Sequence, residues 1–460
     1  MIWFILFLAL VLRLVNINQS LWWDEAINVV YARSSELWWF ITKYPVGDFH
    51  PPGWFAVLWV WGHIFGFAEI SVRLPSVILG TATVWLTYLL GKEIFNKKIG
   101  LLSALFMAIA PLHVYYSQEA RMYVLAAFVV TLSFYFLHRL TTGKKWAWLG
   151  FIISLVLVLY SDYLAYLIIP AQIIYLIWTK KMRREALMVF LAPVVIFLPW
   201  LTIFPAQFKT GIDTAFDLPG WANVVGSNFK DLILFPVKFL FGRVTLSDKS
   251  LYAGIAMFAG AVFGGVLLSG IKKVDHATKL LICWIFIPLI LAFLVSFFIP
   301  VLAYFRMIFL LPPVYLFLAK GIYSLPKKIA VPAFMFICLV SVLSLGMYYF
   351  NPKFQREDWK GAASFVSRNL DNQTLVVFEN NEIPASVKYY ASDLSNFEPA
   401  LSPGFEKKLI NKNKIFLFEY LADIYDSNRI VERKLRDFNF SETKIYNFHG
   451  VGFIREYHKL

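Results

Sequence analysis

The sequence predicts an α-helical polytopic membrane protein of about eleven transmembrane helices, with interfacial helices in its first exterior loop and a small C-terminal exterior α/β domain. Three observations predict it. Of 460 residues, 59% are hydrophobic and only 16% charged, against about half and a quarter in soluble domains, which excludes an ordinary soluble enzyme. Apolar runs near the twenty residues that cross a bilayer recur until about residue 350 and then stop. The net charge of +14 belongs to the membrane part: residues 1–350 hold 27 Lys and Arg against 14 Asp and Glu, and residues 351–460 hold 16 against 15. Sixteen of the 27 lie in five short loops, at Lys92/Lys97/Lys98, Arg139/Lys144/Lys145, Lys180/Lys181/Arg183/Arg184, Lys272/Lys273/Lys279 and Lys320/Lys327/Lys328. That is the positive-inside pattern of cytoplasmic loops, so nucleic acid is not needed to explain the charge.

Met1 to Ile17 lacks a basic n-region and a small-x-small cleavage site, so it reads as an uncleaved first span. The spans then fall at roughly 2–17, 71–91, 99–116, 122–140, 146–160, 163–178, 186–204, 252–271, 279–299, 302–320 and 329–349. The stretch 146–178 reads either as two short spans around Ser161 and Asp162 or as one long tilted helix. An odd count starting inside puts the N-terminus and all five basic loops in the cytoplasm and the C-terminal domain outside the cell membrane. Two exterior segments are long, 18–70 and 205–251, the second carrying Pro205, Asp213, Pro219 and Gly220. In the first, Glu25 to Phe40 sets Ala26, Val29, Val30, Leu37 and Trp38 opposite Asn28, Arg33 and Glu36, which suits an interfacial helix, and Trp54 to Phe67 suits another. The expected organisation is a membrane domain at 1–350 and an exterior α/β domain at 351–460. In the latter, 359–370 and 429–438 read as helices, and 374–379 and 414–419 as strands. Cys283 and Cys338 each sit in an apolar run and define no disulfide framework.

Charged residues near membrane depth are costly and mark function. Asp24, Glu25, His50, Glu69, Arg73, Glu119, Arg121, Asp162, Lys238, Arg243 and Arg306 all map to outer span ends or exterior loops. Acids and cations mixed at one leaflet suit a substrate with an anionic head and an apolar tail, such as a polyprenyl-phosphate sugar. Transfer from that donor releases a phosphate, which needs no general acid, while the acceptor hydroxyl needs a carboxylate to take its proton. Arginines around the phosphate stabilise the charge that grows as the bond breaks. Structural roles compete for the same residues. Ser20 or Asp24 would cap a helix and Glu25 would favour its dipole. Gln118 and Glu119 would cap a span boundary with Arg121 snorkelling to headgroups, Asp162 would cap a hairpin, and Pro312-Pro313 would mark a kink or a broken helix within a span. His50, before two prolines, either ends a loop or offers a metal ligand, with no second histidine at helical ligand spacing. No cofactor is named by the sequence, and a divalent metal stays open because several acids face the site without a ligand cluster of specific spacing.

Five motifs occur in order: Trp23-Asp24-Glu25; Phe49-His50-Pro51-Pro52; Arg73-Leu74-Pro75-Ser76; Tyr116-Ser117-Gln118-Glu119-Ala120-Arg121-Met122-Tyr123; and Tyr304-Phe305-Arg306 followed by Leu311-Pro312-Pro313. Together they resemble the dolichyl-phosphate-mannose protein mannosyltransferase-like branch of the GT-C membrane glycosyltransferases, which also includes the lipid A aminoarabinose transferases. The resemblance covers about residues 1 to 320. It implies a GT-C fold, a polyprenyl-phosphate-linked donor, an exterior protein, lipid or glycan acceptor, and inversion at the anomeric carbon. It further implies that Asp24 is the catalytic base with Glu25 supporting, and that Arg73, Arg121 and Arg306 hold the donor phosphate or acids shaping the site; His50, Gln118, Glu119 and Tyr123 are further candidates. The alternative is a transporter or flippase of lipid-linked sugars, whose charges should line a path near the midplane between related halves.

Overall fold

The computed structural model describes residues 1–181, 184–217, 229–271, 274–299, 301–380, 382–400 and 402–460. Arg183, Lys272 and Lys273 of the cationic loops, and Pro219 and Gly220 of the second long segment, lie outside the described residues. Among the described residues, five helices are long and apolar enough to cross a membrane: Glu69–Ile94, Tyr123–Thr141, Lys249–Ile271, His276–Val295 and Lys327–Phe350. Two bent pairs bring the number to seven if each is one span, Lys97–Ala108 with Pro111–Ser117 at 62° and Met188–Leu201 with Phe204–Asp213 at 59°. Shorter apolar helices stand at the other expected spans, Ile2–Leu14, Ala147–Ser161, Leu164–Trp178 and Ile308–Ser324. The stretch 146–178 is therefore two helices, broken where Asp162 turns extended and its Oδ1 accepts from Leu164 N at 2.7 Å.

Small residues let the helices approach closely, as apolar association in lipid requires. A Cβ on Gly270 would stand 2.8 Å from the Phe317 carbonyl, and one on Gly321 would overlap the Val266 carbonyl, so Lys249–Ile271 and Leu311–Ser324 cross backbone to backbone. Pro312 and Pro313 mark a broken helix: within the expected span the α-helix begins only at Leu311, and the prolines occupy the first turn of Leu311–Ser324, where a missing N–H costs nothing. The expected interfacial helix is two, Trp23–Ser34 and Leu37–Thr42, followed by Gly53–Phe65. Asn28, expected on the solvated face of the first, is buried with Glu25, because its partners are polar groups inside the protein.

The C-terminal domain is a five-stranded sheet of β1 (Thr374–Phe378), β2 (Phe397–Pro399), β3 (Lys414–Phe418), β4 (Phe440–Phe448) and β5 (Gly452–Lys459), ordered β2-β1-β3-β5-β4. β2, β1 and β3 run parallel, and β5 runs antiparallel to β3 and β4. The runs Leu375-Val376-Val377-Phe378 and Ile415-Phe416-Leu417-Phe418 are buried on both faces, as central parallel strands require. Val376, Phe378, Phe416 and Phe418 pack under helix Trp359–Arg368, and Leu375, Val377, Ile415 and Leu417 under Ile430–Asp437. The first of these layers continues into the membrane part: Trp23 stacks on Tyr420 at 5.4 Å, and Lys360 N donates to Ser20 Oγ at 3.0 Å.

Candidate active site

Asp24 sits in the first turn of Trp23–Ser34, but neither it nor Ser20 caps the helix; the N-cap is Trp22, with no side-chain cap bond. The carboxylate is thus left for other work. The Asp24 side chain is 40% accessible. Arg121 Nη2 lies 3.9 Å from Asp24 Oδ2, while Arg121 Nη1 donates to Asp48 Oδ2 at 3.1 Å and to the Asp24 carbonyl at 3.4 Å. His50 Nδ1 lies 2.6 Å from Asp48 Oδ1. Asn28 and Tyr44 complete the network, their side chains 2.5 Å apart. With its amide turned, Asn28 donates to Asp48 Oδ2 at 3.1 Å and accepts from Arg121 Nη1 at 2.7 Å.

The environment separates the two acids. Burial raises the Asp24 carboxyl above its usual range, aided by the charge of Asp48 and opposed by Arg121, His50 and Arg306. Burial pushes Asp48 the same way, but Arg121 and His50 prevail and hold it below. One carboxylate is a fixed anion and the other a stronger base, the arrangement that identifies acid and base roles in a site. Arg306 reaches the network through space, its charge acting on Asp24, and its guanidinium lies 5.7 Å from the Phe305 ring. Tyr123 packs edge-on to that ring at 5.5 Å and to Tyr116 at 5.3 Å.

Glu25 points the other way, as adjacent helical residues must. Arg73 grips it with Nε to Oε1 at 2.8 Å and Nη2 to Oε2 at 2.5 Å, and Ala120 N donates to Oε1 at 2.7 Å. Burial raises the Glu25 carboxyl, but Arg73 outweighs it and the net shift is down. The remaining N–H groups of Arg73 donate to the carbonyls of Ile17, Gln19 and Ser20. With every donor engaged and 1% exposure, Arg73 is a partner of Glu25 and of the 17–20 turn. Of the two roles expected for it, holding the phosphate or holding an acid that shapes the site, these contacts are of the second kind. Gln118 is likewise engaged, donating to the Arg13 and Val15 carbonyls at 3.0 and 2.6 Å and accepting from Tyr348 at 2.6 Å. Arg121 is buried and paired with acids and does not snorkel outward.

Sequence reasoning passes over four contributors. Asp48 stands two residues before His50, and Asn28 lies one helical turn beyond Asp24; that spacing was the available signal. Arg356 and Glu357 come from the start of the C-terminal domain. Arg356 Nη1 pairs with Glu119 Oε2, Nη2 donates to the Tyr115 carbonyl at 3.0 Å, and the guanidinium lies 3.8 Å over the Tyr115 ring. Burial raises Glu119 despite that arginine. Burial also pushes Glu357 up to about 7, with Trp359 Nε1 at 2.6 Å and Tyr420 opposing and the nearby Asp24 reinforcing. Glu357 and Arg356 line a cavity of about 280 Å³ with Arg243, Lys353 and His449, and Arg243 Nη1 donates to Tyr115 OH at 3.2 Å. This chamber is predominantly basic and adjoins the Asp24 network, so it suits an anionic group.

The profile of the family described as dolichyl-phosphate-mannose-protein mannosyltransferase matches residues 49–204. ArnT from Cupriavidus metallidurans, solved with undecaprenyl phosphate, superposes with a TM-score of 0.60 at 10% identity, covering 99% of this chain and 97% of that one. The oligosaccharyltransferase AglB from Archaeoglobus fulgidus, solved with an inhibitory peptide and a dolichol-phosphate, superposes with a TM-score of 0.54 at 11% identity over 99% of this chain and 74% of that one. The chain has the GT-C fold. An uncharacterized protein of Aquifex aeolicus is 29% identical over 176 residues, a match spanning 37% of this chain and 34% of that relative. The family match is thus confined to residues 49–204, and the solved structures show the fold; the protein is a multi-pass integral membrane protein.

Proposed function

We propose that this protein is an integral-membrane inverting glycosyltransferase that moves a sugar from a polyprenyl-phosphate donor to a protein, lipid or glycan acceptor on the exterior side. The carrying observation is the Asp24 network: an accessible carboxylate of raised basicity, beside an ionised Asp48 and cationic Arg121 and Arg306. Asp24 takes the proton of the acceptor hydroxyl, whose oxygen attacks the anomeric carbon as the bond to phosphate breaks. One displacement inverts that carbon, and the phosphate leaves as an anion. Arg121 and Arg306 stabilise it, with Arg243 of the basic cavity extending the cationic surface; removed from bulk water, such charges act more strongly. Glu25 positions Asp24 by fixing the helix start through Arg73. The lipid phosphates bound to ArnT and AglB support a donor of this class.

Arg121 and His50 already hold Asp48, which leaves Asp24 as the carboxylate for a single-base, inverting reaction. We place the division between the membrane and C-terminal parts at residues 350 and 351, the N-terminus in the cytoplasm and the C-terminal domain outside. The test is transfer by purified protein in nanodiscs, offered a panel of radiolabelled polyprenyl-phosphate sugars with a membrane extract as acceptor source. Labelled product of opposite anomeric configuration is expected. No transfer from any donor, with donors instead crossing liposome bilayers, would overturn the reading in favour of a flippase.

A further inference from the structure

The C-terminal domain contains a second cluster of chemistry, remote from Asp24 in the chain. β1 is followed by β2 on one side and, after a crossover, by β3 on the other. In open α/β sheets such a reversal opens a crevice at the carboxyl ends of the two strands, and ligands bind there. Both residues at those ends are acids: Glu379 follows Phe378 and Glu419 follows Phe418, and these two phenylalanines are register partners. Glu432 joins them from helix Ile430–Asp437, and one oxygen from each of the three acids lies within 4.8 Å of the others.

Glu379 is the telling residue. It is 0% exposed, and neither of its carboxylate oxygens has a hydrogen-bond partner. A buried carboxylate without donors is costly unless a cation meets it or it takes up a proton, and burial pushes Glu379 up to about 8, so a cation bound there competes with that proton. The nearest candidate is Arg429, whose guanidinium meets Glu419 at 3.0 Å but stands 3.8 Å from Glu379, 3.9 Å from Glu432 and 3.5 Å from Asp423. It is 41% exposed and rises from a left-handed backbone position at φ 52°, so it stands at the mouth; Glu419 also pairs with Arg455 Nε at 2.9 Å and Glu432 with Arg436 at 3.6 Å, which leaves Glu379 as the acid without a hydrogen-bonding donor. Carboxylate oxygens are hard ligands, and two ligands of one Ca²⁺ or Mn²⁺ lie at most about 5 Å apart.

The geometry points to a site for a hard divalent cation bound by Glu379, Glu419 and Glu432, with Arg429 the internal counter-ion that the metal displaces. The cation joins the ends of β1 and β3 to the helix that covers them. The test is titration of the full-length protein in detergent with MnCl₂, followed by loss of the free aquo-ion signal in electron paramagnetic resonance, with CaCl₂ as competitor. One Mn²⁺ per chain is expected, with Kd of about 10⁻⁴ to 10⁻³ M as in extracellular calcium modules. Glu379→Gln and Glu432→Gln should each weaken it at least about tenfold, Arg429→Gln should tighten it, and Glu406→Gln, outside the cluster, should leave it unchanged. Glu432 lies at the edge of the site, so its variant carries the test if Glu379→Gln does not fold. Absence of binding in the wild type, or binding that both Glu→Gln variants leave intact, would overturn the assignment.

Discussion

Replacing Arg73 by methionine distinguishes a residue that builds the site from one that holds the donor. The side chain donates twice to Glu25 and three times to the carbonyls of Ile17, Gln19 and Ser20. Its loss leaves Glu25 buried with the Ala120 N–H alone. Removing one partner of a buried ion pair costs about 3–5 kcal/mol. At roughly 2 °C per kcal/mol for a large domain, Tm should fall by about 6–10 °C. A double variant, Arg73→Met with Glu25→Leu, no longer buries an orphaned charge, so it should recover part of that loss. Thermal unfolding in detergent, followed by tryptophan fluorescence, reads both effects. The folded fraction of Arg73→Met should keep its apparent KM for the lipid-linked donor within about twofold, since a positioning residue acts through kcat. An unchanged Tm with a KM raised tenfold would refute the reasoning and return Arg73 to the phosphate.

Three further outcomes are expected. Arg306→Ala removes the cation proposed to face the donor, and loss of one charge-assisted contact worth about 1.5–3 kcal/mol should raise the apparent donor KM at least about tenfold; an unchanged value excludes the contact. Arg121 lowers the pKa of Asp24, and a base works only when ionised, with rate lost as pH falls through its pKa. Arg121→Met should therefore move the acid limb of the pH–rate profile upward, and a limb that stays or moves down contradicts the assignment. Gly321→Ala places a methyl group against the Val266 carbonyl, so overpacking should cost about 1–3 kcal/mol, visible as a lower Tm with normal donor affinity in the folded fraction.

Much of the architecture was legible because its signals are local. The runs at 71–91, 122–140, 252–271, 279–299 and 329–349 correspond to the five long helices within a few residues, since twenty apolar residues admit few other fates in lipid. Breaks were harder to read. The bend after Ala108 follows from Pro111, and the late start of Leu311–Ser324 from its two prolines, but apolar character continues through both. In the C-terminal domain β1 and β3 stood out as apolar runs, whereas β4 is mostly exposed and interrupts its apolar positions Phe440, Tyr446 and Phe448 with Glu442 and Lys444. Asp24 was visible beside its tryptophans, and its divergence from Glu25 follows from helix geometry, but the partner that holds Glu25, Arg73, is distant in sequence and was not legible as such. Asp48, Arg356 and Glu357 act through contacts with residues 73, 237 and more than 300 positions away, and no local pattern encodes such partners.

The central claim is that Asp24 is the base of a sugar-transfer reaction. The direct measurement compares wild type with Asp24→Asn in nanodiscs, recording turnover and donor binding side by side. The account predicts that turnover falls to background while donor affinity and Tm stay near wild type, because the amide keeps the shape and loses the proton acceptor. Wild-type turnover in Asp24→Asn would contradict it.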